Sequence, residues 1–167
     1  NHLGLLWQTN SIKPVHEHFI SNLIYQRIAI NIAALPNIER TNGPVNVLFL
    51  PFGEIHELGL FFLNYYLKLK GERTVYLGKS IPFDNLFYVN SQIKSITWIT
   101  YFMIDSTAVE KKMFLDNGEK LVAHTKNKCI IVGKVWEEFS KENKNEQIIF
   151  KTGLEQLILN KEETMKS

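Results

Sequence analysis

The sequence predicts a Rossmann-like α/β domain with a five-stranded, parallel, doubly wound sheet, preceded by part of a helical-bundle cap. Short, near-continuous apolar runs alternate with longer segments of helical periodicity between residues 45 and 167. Such alternation favours right-handed crossovers between parallel strands. Apolar runs without polar alternation are typical of strands that are covered on both faces. We therefore assign residues 45–167 to the α/β domain and residues 1–37 to the cap.

The cap segment predicts the last two helices of a bundle. Residues 1–10 are interpreted as the end of a helix that begins before the first residue of this chain. A second helix is predicted over residues 13–35, because Pro14 suits a first helical turn and apolar residues recur in a wide stripe. Residues 36–44 are rich in Pro, Asn and Gly, which indicates a linker.

The remaining elements follow in alternating order. We expect Gly71 to end the first helix of the α/β domain, and we expect an interruption near Asn117–Gly118 in the third. The predicted strands are 45–51, 73–78, 95–102, 129–134 and 147–151, and the predicted helices are 54–71, 82–94, 106–128, 135–143 and 153–163.

Composition limits the classes of function. The 167 residues are 45% hydrophobic and 22% charged with a net charge of +2, so bulk charge does not favour nucleic-acid binding by this segment. The single cysteine, Cys129, lies in an apolar run and is predicted to be a buried packing residue. It excludes an internal disulfide framework and indicates a reducing, cytoplasmic location. No apolar stretch reaches the roughly 18–20 residues of a membrane span.

The segment "FGEIHELGL", residues 52–60, carries the most unusual chemistry. It places His56 between two glutamates directly after the first predicted strand. In open parallel sheets, ligands bind at the carboxyl ends of the strands, near the point where the strand order reverses. An ordinary histidine at a helix start is one interpretation of His56. A metal ligand is the other, because a neutral imidazole suits borderline metals such as cobalt.

Glu54, His56 and Gly59 form an ExHxxG pattern that resembles the cobalamin-binding signature DxHxxG. In that family the histidine becomes the lower axial ligand of cobalt, and the acidic residue two positions earlier holds the imidazole. The resemblance therefore implies that His56 binds cobalt, that Glu54 orients it, and that Gly59 allows close approach of the cofactor. Glutamate in place of aspartate is a departure from the pattern, with a longer arm.

A second motif, W-x9-EH, is formed by Trp7, Glu17 and His18. It resembles the cap of the cobalamin-binding C-terminal region of MerR-type transcription regulators, the CarH/LitR-like photoreceptors. There a four-helix bundle covers the upper face of adenosylcobalamin, with the tryptophan over the adenosyl group. The resemblance implies contacts from all three residues to adenosylcobalamin, a homodimer or homotetramer, and DNA binding through a domain that would precede Asn1.

Further positions carry the resemblance with departures. Thr100 corresponds to a third-strand hydroxyl that contacts the nucleotide tail of cobalamin, and Gly133 corresponds to the first residue of a Gly-Gly pair. Lys134 replaces the second glycine, where it either crowds the dimethylbenzimidazole or points outward. Gln8 follows Trp7 at the position from which the family's light switch recruits a histidine, so photochemistry would end in a different ligand state.

Three functions follow from the sequence. The favoured one is a non-enzymatic sensor domain of a MerR-type regulator that binds cobalamin and responds to its state, including its photolysis. The second is the corrinoid module of a methyltransferase or mutase. The third is a degenerate module that has lost cobalamin and serves in oligomerisation or binds another small molecule. For Trp7, Glu17 and His18, packing or solvated roles remain the alternatives.

Overall fold

The structure is a computed structural model, and it describes residues 13–36 and 43–158. The chain divides between Pro36 and Asn37 into two compact units. The first unit contains helix α1, Pro14–Ala34, which begins with its proline in the first turn and confirms the helix predicted over 13–35. Residues 1–10, with the predicted end of a preceding helix, lie outside the described residues.

The second unit is a five-stranded parallel sheet with the strand order β2-β1-β3-β4-β5, which confirms the predicted fold class. Its strands are β1 (Val45–Pro51), β2 (Thr74–Ile81), β3 (Ile96–Tyr101), β4 (Lys128–Val132) and β5 (Ile148–Lys151). Its helices are α2 (Leu58–Leu69), α3 (Phe83–Gln92), α4 (Ala108–Val122) and α5 (Glu137–Glu142), the last preceded by a 3-10 turn at Lys134–Trp136. A helical turn over 155–158 follows β5.

The interior strand β1 is covered on both faces and is almost entirely apolar. All seven residues of β1 are buried. Val47 and Phe49 point into a core shared with α3 and α4, whereas Leu48 and Leu50 point into a second core formed with α2. Successive strand residues face opposite sides, so a strand between two cores is apolar on both faces, and in β1 the buried polar exception is Asn46.

Cys129 lies in the first of these cores. It is fully buried, as predicted from its apolar neighbours. Burial raises the pKa of its thiol to about 12. The thiol therefore stays protonated at neutral pH and is not available as a nucleophile.

Two predicted helix details are wrong. Helix α2 begins at Leu58 rather than at residue 54, because the Glu54 carboxylate accepts hydrogen bonds from the next two backbone amides and holds residues 54–57 as a loop. Helix α4 runs unbroken through Asn117–Gly118. Gly118 is buried, and a Cβ there would lie 3.9 Å from Ile148 of β5. That distance is an ordinary van der Waals contact, so the packing of helix on strand does not itself require glycine there.

The strand order fixes the position of a ligand site. Because β1 lies between β2 and β3, the chain crosses to one side after β1 and to the other side after β2. The loops that leave β1 and β3 therefore start next to each other at the carboxyl edge of the sheet. In open α/β sheets this topological switch point is where ligands bind.

Candidate functional site at the switch point

The carboxylate of Glu54 joins the two loops at the switch point. Its side chain is only 4% exposed. Its Oε1 accepts hydrogen bonds from the amides of Ile55 and His56 at 2.9 and 3.0 Å, and from His56 Nδ1 at 2.6 Å. Its Oε2 accepts from the amides of Met103 and Ile104 at 3.0 and 3.2 Å. One buried side chain thus ties the loop after β1 to the loop after β3.

These hydrogen bonds set the charge of Glu54. Burial raises its pKa, but the hydrogen bonds from His56, Met103 and Ile104 outweigh that effect and bring the pKa below the ordinary 4.5. The carboxylate is therefore ionised at neutral pH and can only accept hydrogen bonds. Consequently His56 Nδ1 carries the proton in their 2.6 Å contact.

His56 presents its other ring nitrogen. With the proton on Nδ1, Nε2 of the neutral imidazole carries a free lone pair. The side chain is 43% exposed, and within the described ranges Nε2 has no hydrogen-bond partner. A carboxylate on one nitrogen and a free lone pair on the other is the arrangement of metal-ligating histidines. Residues 13–36 and 43–158 contain no cluster of three or more side chains that could hold a metal ion together.

Glu57 fixes the same loop on its opposite side. Its Oε2 accepts a hydrogen bond from the Tyr76 hydroxyl at 3.2 Å, and its Oε1 pairs with Lys79 Nζ at 3.2 Å. Both partners belong to β2. The two glutamates around His56 thus have separate functions, because Glu54 binds the β3 side of the loop and Glu57 binds the β2 side.

The two loops joined by Glu54 also expose large apolar side chains. Phe52 and Ile55 lie in the loop after β1, and Met103 and Ile104 lie in the loop after β3, each more than half exposed. We call these four residues the apolar rim. Several exposed apolar residues beside an imidazole nitrogen with a free lone pair are typical of a binding surface rather than of ordinary solvent-facing loops.

The predicted tail contact Thr100 is not at the surface. It lies within β3, in register with Phe49 and Ile131, and is fully buried. Its hydroxyl has no hydrogen-bond partner among the residues that the structure describes. A ligand would reach this hydroxyl only after a rearrangement of the neighbouring side chains.

Gly133 lies at the end of β4 and lines a cleft. Its φ is +146°, and a Cβ there would lie 2.6 Å from the carbonyl oxygen of Phe102, so the protein backbone itself requires glycine. The cleft has a volume of about 390 Å³, and its lining includes Trp136, Phe150 and Lys151. Lys134 is exposed. This exposure supports the prediction that the Lys134 side chain points outward and does not crowd the dimethylbenzimidazole.

Gly59 has a local packing explanation. It lies in the first turn of α2, where a Cβ would lie 2.9 Å from the Leu154 side chain and 3.5 Å from the Tyr101 ring. The glycine therefore allows other side chains of the same domain to approach. The predicted contact of Gly59 with a cofactor stays a prediction.

Glu17 and His18 belong to the first unit. They lie in the first turns of α1, where His18 Nδ1 is 3.5 Å from Glu17 Oε2. The His18 side chain is 76% exposed and the Glu17 side chain is 44% exposed. The Ser21 hydroxyl donates to the same glutamate at 2.9 Å. Trp7, the remaining member of the predicted W-x9-EH motif, lies outside the described residues, as does the neighbouring Gln8.

Sequence reasoning missed the part played by the loop after β3. Met103 and Ile104 bind Glu54 through backbone amides, which leave no trace in residue type. The available signal in the sequence was a pair of large apolar residues, Met103 and Ile104, after the third predicted strand. The structure shows that both side chains are exposed. Lys111 and Asp105, which form an ion pair at 2.7 Å in the same region, were also missed.

Solved structures with the same fold bind corrinoids. The chain is similar to the monomethylamine corrinoid protein of Methanosarcina barkeri, with a TM-score of 0.56 and 14% identity over 79% of this chain and 58% of that chain. It is also similar to the methanol:cobalamin methyltransferase complex of the same organism, with a TM-score of 0.50 and 14% identity over 90% and 57% of the two chains. A cobalamin-binding protein from Desulfitobacterium hafniense DCB-2 has a TM-score of 0.48 and 14% identity over 87% and 69%.

At this identity the likeness shows a shared fold. The chain spans 58% of the length of the monomethylamine corrinoid protein and 57% of the methyltransferase chain. No protein-family model and no curated protein matches the sequence. Among the described helices, none is long and apolar enough to cross a membrane.

Proposed function

We propose that this chain is a corrinoid-binding module in which His56 Nε2 is the lower axial ligand of the cobalt of cobalamin. The main observation in support is the Glu54–His56 pair, a 2.6 Å contact between a buried carboxylate and an exposed imidazole at the switch point. The shared fold with corrinoid proteins supports the same reading. The proposal assigns the chain binding and no catalytic activity of its own.

The donor set fits this cofactor. His56 would supply a single protein ligand to the cobalt of a corrinoid. His56 offers one nitrogen, and Glu54 fixes the tautomer and the ring orientation that this ligand needs. The apolar rim provides surface that a large macrocycle would cover. When bound, the cofactor would supply cobalt–carbon chemistry.

Residues of the chain would also hold the rest of the molecule. The nucleotide tail of a bound cobalamin would need space on the protein. The cleft beside Gly133 offers an aromatic floor of Trp136 and Phe150, and Lys151 on its wall suits a phosphodiester. Lys134 is exposed, which weakens the steric objection that motivated a degenerate module without cobalamin.

The finer role rests on the sequence. The W-x9-EH motif supports a sensor domain of a MerR-type regulator that binds adenosylcobalamin through Trp7, Glu17 and His18. In this role the ligand state, including its photolysis, would change the packing of a cytoplasmic dimer or tetramer and so DNA binding by another domain. Such a shift requires that the ligand bind two assembly states with different affinity.

A second candidate is a methyl-carrying corrinoid module. It is supported by the two similar structures of highest TM-score given above, one a corrinoid protein and the other part of a methyltransferase complex. The two roles differ in the upper ligand. A carrier would accept a methyl group from a partner methyltransferase, whereas the sensor would retain adenosylcobalamin until light or another signal removes the adenosyl group.

The first experiment is an absorption spectrum of the purified chain. The protein is incubated with adenosylcobalamin in the dark, freed of unbound cofactor, and measured before and after green illumination. Retained corrinoid bands that are lost or altered in the His56→Ala variant would support the proposal, and a light-induced change would favour the sensor. Absence of retained adenosyl-, methyl- and aquocobalamin from the unsubstituted chain would overturn corrinoid binding.

A further inference from the structure

Lys111 is a buried cation close to the proposed cobalamin site. It lies in the first turns of α4 and is only 8% exposed. Its Nζ donates to the carbonyl of Val135 at 2.6 Å and pairs with Asp105 Oδ1 at 2.7 Å. It also lies 5.9 and 5.6 Å from the ring centres of Trp136 and Phe139.

Packing alone does not explain a lysine at this position. Desolvation of an ammonium group is costly, and the ion pair with Asp105 offsets little of that cost because the Asp105 side chain is 70% exposed. A methionine would fill the same space without that cost. The charge of Lys111 therefore has to be explained by what its partners do.

The first partner belongs to the loop that holds Glu54. Asp105 directly follows Met103 and Ile104, whose amides donate to Glu54 Oε2. Asp105 also accepts a hydrogen bond from the Ser106 amide at 2.9 Å, which fixes the carboxylate to its own loop. The ion pair with Lys111 thus anchors the loop one residue after the amides that Glu54 requires.

The second partner belongs to the segment after β4. Val135 lies in the 3-10 turn that follows Gly133, and its neighbour Trp136 lines the cleft of about 390 Å³. A single ammonium group therefore contacts both the loop beside His56 and the segment beside the cleft.

We propose that Lys111 is a positioning residue that holds the loop after β3 against Glu54 and thereby fixes the orientation of His56. The part of this inference that concerns corrinoid affinity rests on the proposed function. Without the ammonium group, Asp105 loses its anchor and the amides of Met103 and Ile104 separate from Glu54 more often. The imidazole then samples a wider range of orientations, and a ligand on Nε2 binds less tightly.

The positioning role can be tested without any cofactor. Amide hydrogen exchange is compared in the unsubstituted chain, Lys111→Met, Lys111→Arg and Lys112→Met, the last a control at the adjacent exposed lysine. We expect Met103 and Ile104 to exchange about tenfold faster in Lys111→Met, while Leu48 and Leu50 of β1 are unchanged. Arginine should restore slow exchange, since it can also pair with Asp105.

Two results would overturn the inference. One is unchanged exchange at Met103 and Ile104. The other is an equal acceleration throughout the core, which would indicate a merely structural role. If Lys111→Met does not fold, Asp105→Asn provides the same test, because this side chain is largely exposed and the substitution removes the negative charge that pairs with Lys111.

Cobalamin binding distinguishes the two proposals from each other. We expect aquocobalamin to bind about tenfold more weakly to Lys111→Met and Asp105→Asn, with Lys111→Arg close to the unsubstituted chain, as found when outer partners of metal ligands are lost. Equal affinity in all variants would overturn the effect of Lys111 on the ligand site. No cobalamin binding by the unsubstituted chain would overturn the proposed function, and the exchange rates alone would then decide the positioning role.

Discussion

Residues 13–36 and 43–158 contain two histidine–glutamate pairs that differ sharply in their surroundings. His56 and Glu54 are 2.6 Å apart, and the glutamate is 4% exposed and bonded to four backbone amides from two loops. His18 and Glu17 are 3.5 Å apart, and the glutamate is 44% exposed with one side-chain donor, Ser21. The sequence predicts cofactor contacts for both pairs.

The difference shows what prepares a ligand before the ligand arrives. An exposed ion pair contributes about 0–1 kcal/mol and competes with water and with side-chain entropy. A buried carboxylate with backbone donors has one orientation, and it transfers that orientation to its histidine. The Glu54–His56 pair is therefore preorganised, whereas the Glu17–His18 pair would have to be ordered by whatever binds it.

The largest expected effect is the loss of the proposed metal ligand. His56→Ala should weaken cobalamin binding by at least about 100-fold, because removing the ligand costs more than the 10–100-fold that follows the loss of its outer partner. His18→Ala should weaken it by less than about tenfold. Equilibrium binding measured from corrinoid absorption compares the two. Equal losses from both variants would remove the distinction between the pairs.

Replacement of the carboxylate comes next. Glu54→Gln should weaken cobalamin binding by about 10–100-fold and lower the free energy of unfolding by about 1–3 kcal/mol, because the buried amides and His56 Nδ1 lose an anionic acceptor. Glu17→Gln should change the free energy of unfolding by less than about 0.5 kcal/mol. Denaturant titration measures both, and a Glu54→Gln variant as stable as Glu17→Gln would contradict the preorganised pair.

The pH dependence tests the same carboxylate in the unsubstituted chain. The pKa of Glu54 is lower in the folded protein than the ordinary 4.5, so its contribution to stability is present above that pH. It should be lost as the pH falls through the lowered value. The stability difference between the unsubstituted chain and Glu54→Gln should therefore shrink in acid. A difference that stays constant from pH 7 into acid would mean that the pKa is not lowered.

Glu57 is an intermediate case with the smallest expected effect. Its ion pair with Lys79 is partly exposed, at 3.2 Å, and Tyr76 provides one further hydrogen bond. Glu57→Gln should lower the free energy of unfolding by about 0.5–1 kcal/mol and cobalamin affinity by about two- to threefold. A loss as large as that of Glu54→Gln would show that burial of the carboxylate is not the deciding factor.

The order of strands and helices could be predicted from the sequence because each predicted strand contains a short apolar run and the longer segments between the strands are helical in character. The two incorrect details have physical reasons that lie outside periodicity. Residues 54–57 have helical composition, but the Glu54 carboxylate binds the amides of Ile55 and His56 as well as those of the loop after β3, and this holds the segment as a loop. Gly118 suggests a break in isolation, yet it lies buried within the continuous helix α4, and the packing of that helix on the domain outweighs its low helix propensity.

The candidate site could be predicted in part. His56 and Glu54 follow from a motif at the end of a strand, and their contact is the one the resemblance implied. The partners of Glu54 in the loop after β3 could not be predicted, because backbone amides look the same in every sequence. Lys111 was missed for a related reason. From the sequence, a lysine in a charged helical segment is expected to be solvated, whereas in the fold Lys111 contacts both the loop after β3 and the segment after β4.

The most direct test of the account is electron paramagnetic resonance of the chain loaded with cob(II)alamin, with the protein's histidines labelled with nitrogen-15. Axial ligation by His56 predicts that the nitrogen splitting of the cobalt signal changes from a triplet to a doublet on labelling. It also predicts that the doublet is lost in His56→Ala and kept in His18→Ala. A triplet that persists in the labelled protein would show that cobalt keeps its own base, and it would contradict His56 as the ligand.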